Sequence, residues 1–126
     1  MIDMRIGALI SVVDDDVSSR ESLPDLLQIL GYAAMPFASS EDFLASAALA
    51  TTQCLILDVS MPCMSGPELQ RELSRRELNI PIVFITAHGD QYLRAELLAR
   101  GAVECLFKPF SERDLRSALD RAIGAA

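Results

Sequence analysis

The chain has 126 residues, 51% of them apolar and 23% charged, which fits one soluble domain able to bury a core without disulfides or structural metal. Eighteen acidic residues against eleven basic ones leave a net charge of −7, a surface that repels nucleic acid and anionic membranes. Direct DNA binding by this segment is therefore disfavoured, and no apolar stretch approaches the roughly 18 residues of a membrane-spanning helix.

Met1 to Val13 carries one Arg and a short apolar run, but it leads into Asp14-Asp15-Asp16 rather than a small-residue cleavage site, which argues against a signal peptide. Ala8 to Val13, closed by those acids, reads as a buried strand. Leu23, Leu26, Leu27 and Leu30 then fall on one helical face, and Gly31 stands at the expected C-terminal stop. Pro24 breaks the local rule for a helix interior, so this helix either bends there or starts later, near Ser22. Tyr32 to Phe37 is a weak second strand. Ser39-Ser40-Glu41-Asp42 resembles a helix start, with Phe43, Leu44, Ala47 and Ala48 as one apolar stripe.

Gln53 to Leu57 is a third strand ending in Asp58, and the loop Ser60 to Gly66 leads to a helix with Leu69 and Leu73 inward. Ile80 to Ile85 is a fourth strand ending in Thr86. A helix follows to about Arg100, stopped by Gly101. Val103 to Phe107 is a fifth strand ending at Lys108-Pro109, and Leu115, Ala118, Leu119 and Ala122 stripe the last helix. Five β-α units with short connections imply an α/β fold with a parallel sheet and helices on both faces. The reading is a single domain over residues 1–126, core about 8–124, with no linker, repeat or low-complexity segment, and no linker or basic helix in Ala122 to Ala126. Cys54, Cys63 and Cys105 are odd in number and widely spaced. They fit neither a zinc site nor a disulfide framework, and point to core or loop roles in a reducing cytoplasm.

The unusual polar residues share one position. Asp14 and Asp15 follow strand one, Asp58 strand three, Thr86 strand four and Lys108 strand five, all at carboxyl ends. In an open parallel sheet, ligands bind along that edge. A group of carboxylates needs cations: two like charges at 4 Å repel by about 4 kcal/mol at an effective dielectric near 20. Lys108 offsets part of this, and a hard divalent ion with oxygen ligands and open water positions, magnesium, offsets more. A hydroxyl, an ammonium, a carboxylate nucleophile and a metal together are the parts needed to form an aspartyl phosphate.

The chain resembles the receiver domains of two-component response regulators, especially the FixJ type, from Ile10 to about Ile123. Val12-Val13-Asp14-Asp15-Asp16 is similar to the acidic motif, and Leu57-Asp58-Val59-Ser60-Met61-Pro62 with Met64-Ser65-Gly66 to the phosphoacceptor loop. Ile85-Thr86-Ala87-His88-Gly89-Asp90 is similar to the switch segment, and Gly101-Ala102 with Lys108-Pro109-Phe110 to the closing motif. The resemblance implies a flavodoxin-like (βα)5 fold with a five-stranded parallel sheet in the order 2-1-3-4-5, the order of the chemotaxis receivers. That order makes Asp14, Asp15 and Asp58 neighbours.

The resemblance also implies roles. Asp58 is the phosphoacceptor, Asp15 a direct Mg2+ ligand, Asp14 an acidic partner acting mostly through water, and the Ser60 carbonyl a further ligand. Lys108 pairs with the phosphoryl group, Thr86 moves toward it, and the Lys108-Pro109 peptide is often cis. A sensor histidine kinase is the implied phosphoryl donor. Homodimerisation on phosphorylation, through the fourth helix, fifth strand and last helix, is the implied response. The domain is a signalling module that catalyses only its own phosphorylation and dephosphorylation.

Two positions depart from the family pattern. Cys105 stands three before the lysine, where the family carries an aromatic; Phe107 lies two residues on and shares its strand face. Whether Phe107 replaces that ring, or the backbone alone couples Thr86 to its surroundings, stays open at this level. Ser60 stands where FixJ-type domains carry a long basic side chain, leaving room for attacking water. His88, the only histidine, reads as a plain loop residue. Two other functions compete. One is a small haloacid-dehalogenase-like phosphatase, which would place its nucleophile on strand one and leave the Asp58 loop unexplained. The other is a dimerisation module indifferent to phosphorylation, against which the complete acidic set argues.

Overall fold

A computed structural model describes residues 7–124. The start of the Met1 to Val13 segment and the last two residues of Ala122 to Ala126 lie outside the described residues. The elements are β1 (Leu9–Val13), α1 (Val17–Ile29), β2 (Ala33–Phe37), α2 (Ser40–Leu44), a 3-10 turn (Ala47–Ala50), β3 (Cys54–Asp58), α3 (Gly66–Arg75), β4 (Ile82–Thr86), α4 (Gln91–Ala99), β5 (Glu104–Phe107) and α5 (Glu112–Ile123). All strand pairings are parallel, in the order β2-β1-β3-β4-β5, as the resemblance implied.

The central strands read as near-continuous apolar runs because both their faces are covered: every residue of β3 and β4 is buried. One face packs Ile10, Val12, Ile56, Val83 and Ile85 against Leu23 and Leu27 of α1 and Leu115 and Leu119 of α5. The other packs Leu55, Leu57 and Phe84 against Phe43 of α2, Leu69 and Leu73 of α3 and Leu97 of α4. Burying each such Leu or Phe stabilises the fold by roughly 1.5–3 kcal/mol. Edge strand β2 is mostly exposed, and Pro36 removes one of its backbone donors.

The helix boundaries follow side-chain chemistry. Asp16, Ser39, Ser65, Asp90 and Ser111 each accept a backbone N–H at the start of the helix they precede, and Ser65 and Glu68 form a reciprocal capping box. Gly31 and Gly101 stop α1 and α4 at φ of 99° and 103°, where only glycine is unstrained.

Of the two readings of Pro24, the one inside the helix holds: α1 begins at Val17 and runs past it. The second helix departs from expectation. Instead of one stripe over Phe43, Leu44, Ala47 and Ala48, α2 ends at Leu44 and a separate 3-10 turn follows. The cause is Ser46, whose hydroxyl accepts the Ala48 N–H at 3.0 Å and restarts the chain as a cap. Strand four begins two residues later than its apolar run, after Pro81, whose carbonyl accepts the Leu55 N–H.

Candidate functional site

The carboxyl ends of β1, β3, β4 and β5 bring the expected residues to one edge. Asp14 follows β1 directly and is fully buried, while Asp58 closes β3 and is 7% exposed. Asp15 is exposed beside them, and carboxylate oxygens of Asp14, Asp15 and Asp58 lie within 4.8 Å of one another. Lys108 follows β5 and is held to the sheet by its backbone N–H, which donates to the Thr86 carbonyl at 2.8 Å.

The burial of Asp14 is compensated on both oxygens. Oδ1 accepts the Asp16 N–H at 2.9 Å, and Oδ2 accepts Lys108 Nζ at 2.8 Å. Arg20, one turn into α1, donates from Nη1 to the Asp14 carbonyl at 3.0 Å. The lysine thus pairs with Asp14, which in this structure is tied directly to a cation. Asp58 has weaker support: its Oδ1 accepts the Ser60 N–H at 3.4 Å. Burial, then the neighbouring Asp14 charge and hydrogen bond, push the Asp58 carboxyl up to about 7, with Lys108 and the Ser60 N–H only partly opposing. Such a carboxyl lacks positive charge. An all-oxygen cluster with one exposed member suits a hard divalent ion that keeps some of its water.

Thr86 is 2% exposed, and its hydroxyl accepts the His88 N–H at 3.2 Å. His88 is exposed in the β4–α4 loop, in keeping with a loop role. Ser60 is exposed in the loop after β3. The Lys108-Pro109 peptide is cis. Cys54 and Cys105 are buried, and burial pushes their thiols up to about 12 and about 11, while Cys63 is exposed in the loop after Asp58.

Two groups went unread in the sequence. Arg20 is one; its only signal was a basic residue one helical turn beyond the acidic run. Glu104 is the other. Burial raises its carboxyl, but hydrogen bonds from Arg121, the Cys105 N–H and Arg94 outweigh this and hold it below the usual range. Arg94 and Arg121 reach it at 2.7 and 2.9 Å from α4 and α5, joining both helices to β5.

A parallel five-stranded sheet with this order and a carboxylate cluster at its switch point defines a class, and the family comparison agrees: the response regulator receiver domain model matches residues 10–120. The chain belongs to that family and is a receiver domain of two-component response regulators, a signalling domain. Nodulation protein W of Bradyrhizobium diazoefficiens is 41% identical over 112 residues, covering 89% of this chain and 49% of that protein. Transcriptional regulatory protein FixJ of Rhizobium meliloti is 39% identical over 113 residues, covering 90% of this chain and 55% of that protein. The crystal structure of FixJ-N superposes with a TM-score of 0.83 at 35% identity, covering all of this chain and 98% of that one. The chain spans about half the length of the curated relatives it matches. Neither the phosphatase nor the phosphorylation-independent reading is favoured by these relationships.

Proposed function

We propose that residues 1–126 form one receiver unit in which Asp58 accepts a phosphoryl group from a sensor histidine kinase in the cytoplasm. The observation that carries this reading is the Asp14, Asp15 and Asp58 cluster beside Lys108 and Thr86 at the carboxyl edge of the sheet. Among the described residues, no helix is long and apolar enough to cross a membrane.

An Asp58 oxygen attacks phosphorus, the O–P bond forms, and the P–N bond of a phosphohistidine breaks with its electron pair leaving on the imidazole. Asp14, Asp15, Asp58 and the Ser60 carbonyl would hold Mg2+, which supplies charge that offsets the carboxylates and the incoming phosphoryl oxygens. Lys108 stands at the cluster, where its ammonium can turn from Asp14 to a phosphoryl oxygen. The Thr86 hydroxyl can leave the His88 N–H and donate to another. A nucleophile on β1 is disfavoured, because Asp14 is fully buried. The domain thus carries out only its own phosphorylation and dephosphorylation.

Magnesium is expected at Asp15 and Asp58 with water filling most of its coordination sites. Crystals grown in ample magnesium test this: an ion bound elsewhere contradicts it. Chelation of divalent ions is expected to bring phosphorylation by acetyl phosphate down to background.

Phosphorylation is also expected to promote homodimerisation through α4, β5 and α5. Thr86 ends the strand that leads into α4, and Tyr92 at the start of that helix is 83% exposed. The phosphoryl group can only favour the conformation it contacts better, so the response is a population shift. Light scattering before and after phosphorylation checks this, and a phosphorylated chain that stays monomeric at high concentration contradicts it.

A further inference from the structure

Gly89, in the loop between β4 and α4, has no room for a side chain. A Cβ there would lie 2.5 Å from Phe107 Cε1 and 2.5 Å from Thr86 Cγ2. The phenyl ring and the threonine methyl therefore both press on the same point of loop backbone. They do so because Thr86 and Phe107 are register partners on neighbouring strands. Cys105 is paired two register positions lower, opposite Phe84, and its side chain ends at Sγ. We propose that Phe107, seated on Gly89, is the positioning residue that couples Thr86 to the β4–α4 loop in this chain, in place of any side chain at 105. The proposal rests on Asp58 being the phosphoacceptor.

The Thr86 hydroxyl and methyl share one Cβ, so turning the hydroxyl toward a phosphoryl oxygen must carry the methyl with it. The same rotation breaks the hydrogen bond from the His88 N–H and removes a wall of the Gly89 contact. A phenyl ring is rigid and packed cores tolerate neither gaps nor overlaps, so ring and loop must shift together. Phe107 is only partly buried, which leaves it space to move.

The test compares wild type, Phe107→Leu, Gly89→Ala and Cys105→Ala, each confirmed as folded by thermal melting and treated with acetyl phosphate and magnesium. Intact mass reports phosphorylation, and backbone amide NMR at residues 89–91 reports the loop. Phe107→Leu is expected to take up the same phosphoryl group while the loop response falls about fivefold, the lower end of ordinary coupling between sites. Gly89→Ala is expected to show a displaced loop before any phosphorylation, and Cys105→Ala a full response. A full loop response in Phe107→Leu, an unshifted loop in Gly89→Ala, or a lost response in Cys105→Ala overturns the proposal. A wild-type chain that takes no phosphoryl group is seen separately by mass and overturns the assignment of Asp58 as well.

Discussion

Asp58→Asn is expected to abolish phosphorylation and, without divalent metal, to raise the melting temperature at neutral pH. The substitution removes the proposed nucleophile and one of the three clustered carboxylates while keeping the side chain's shape. Burial and Asp14 hold the Asp58 carboxyl near 7 in the fold, against an ordinary 3.8. Well below about pH 4 folded and unfolded chains both carry the Asp58 proton, and this group contributes no pH dependence. Between about 4 and 7 the unfolded chain releases its proton first, so wild-type stability falls as pH rises. Above 7 the full penalty is present, about 2 kcal/mol once solvent screening is allowed for. The asparagine variant lacks this term, so its advantage grows from pH 4 to 7 and then levels off. Melting curves across that range in a chelating buffer check the sign, and a variant less stable than wild type at pH 7.5 contradicts the account.

Gly66→Ala is expected to be the most damaging small substitution near the site. Gly66 opens α3, and its N–H donates to the Val59 carbonyl at 3.0 Å. An added Cβ would sit inside the contact shell of the Asp58 backbone oxygen, 3.1 Å from Val59 Cα and 3.0 Å from Phe84 Cε1. Two of these neighbours are backbone of the strand end that presents Asp58, so relief must come from moving α3 or Asp58 itself. A loss of about 3 kcal/mol follows, from overpacking against groups that cannot turn aside. Thermal melting should show a drop of about 10 °C. Slower phosphorylation should accompany it, because Asp58 moves. An unchanged melting temperature would mean that the helix start yields freely and does not position the site.

The polar residues at strand ends were readable because each interrupts an apolar run where a parallel sheet places its ligands. The sheet order was not in the periodicity. It came with the motif resemblance, and only that order sets β1 beside β3. Partner choice was less accessible still. Lys108 and Asp14 are 94 residues apart, and nothing local marks the lysine as bonded to that carboxylate. Glu104 looked like a strand residue until α4 and α5 each supplied an arginine. The break in the second helix was missed for a different reason: the alanine-rich stripe favours continuation, and the competing signal was the single hydroxyl of Ser46. Gly89 was visible only as part of the switch segment, whereas the Phe107 ring and the Thr86 methyl on two strands are what leave it no room for a side chain.

The central claim, that Asp58 is the phosphoacceptor of a magnesium-dependent receiver, is tested most directly by intact and peptide mass analysis of the wild-type chain after acetyl phosphate, with and without magnesium. The account predicts one added phosphoryl group, dependent on magnesium and located on the peptide that contains Asp58. No addition, addition that ignores magnesium, or a phosphoryl group on Asp14 or Asp15 would contradict it.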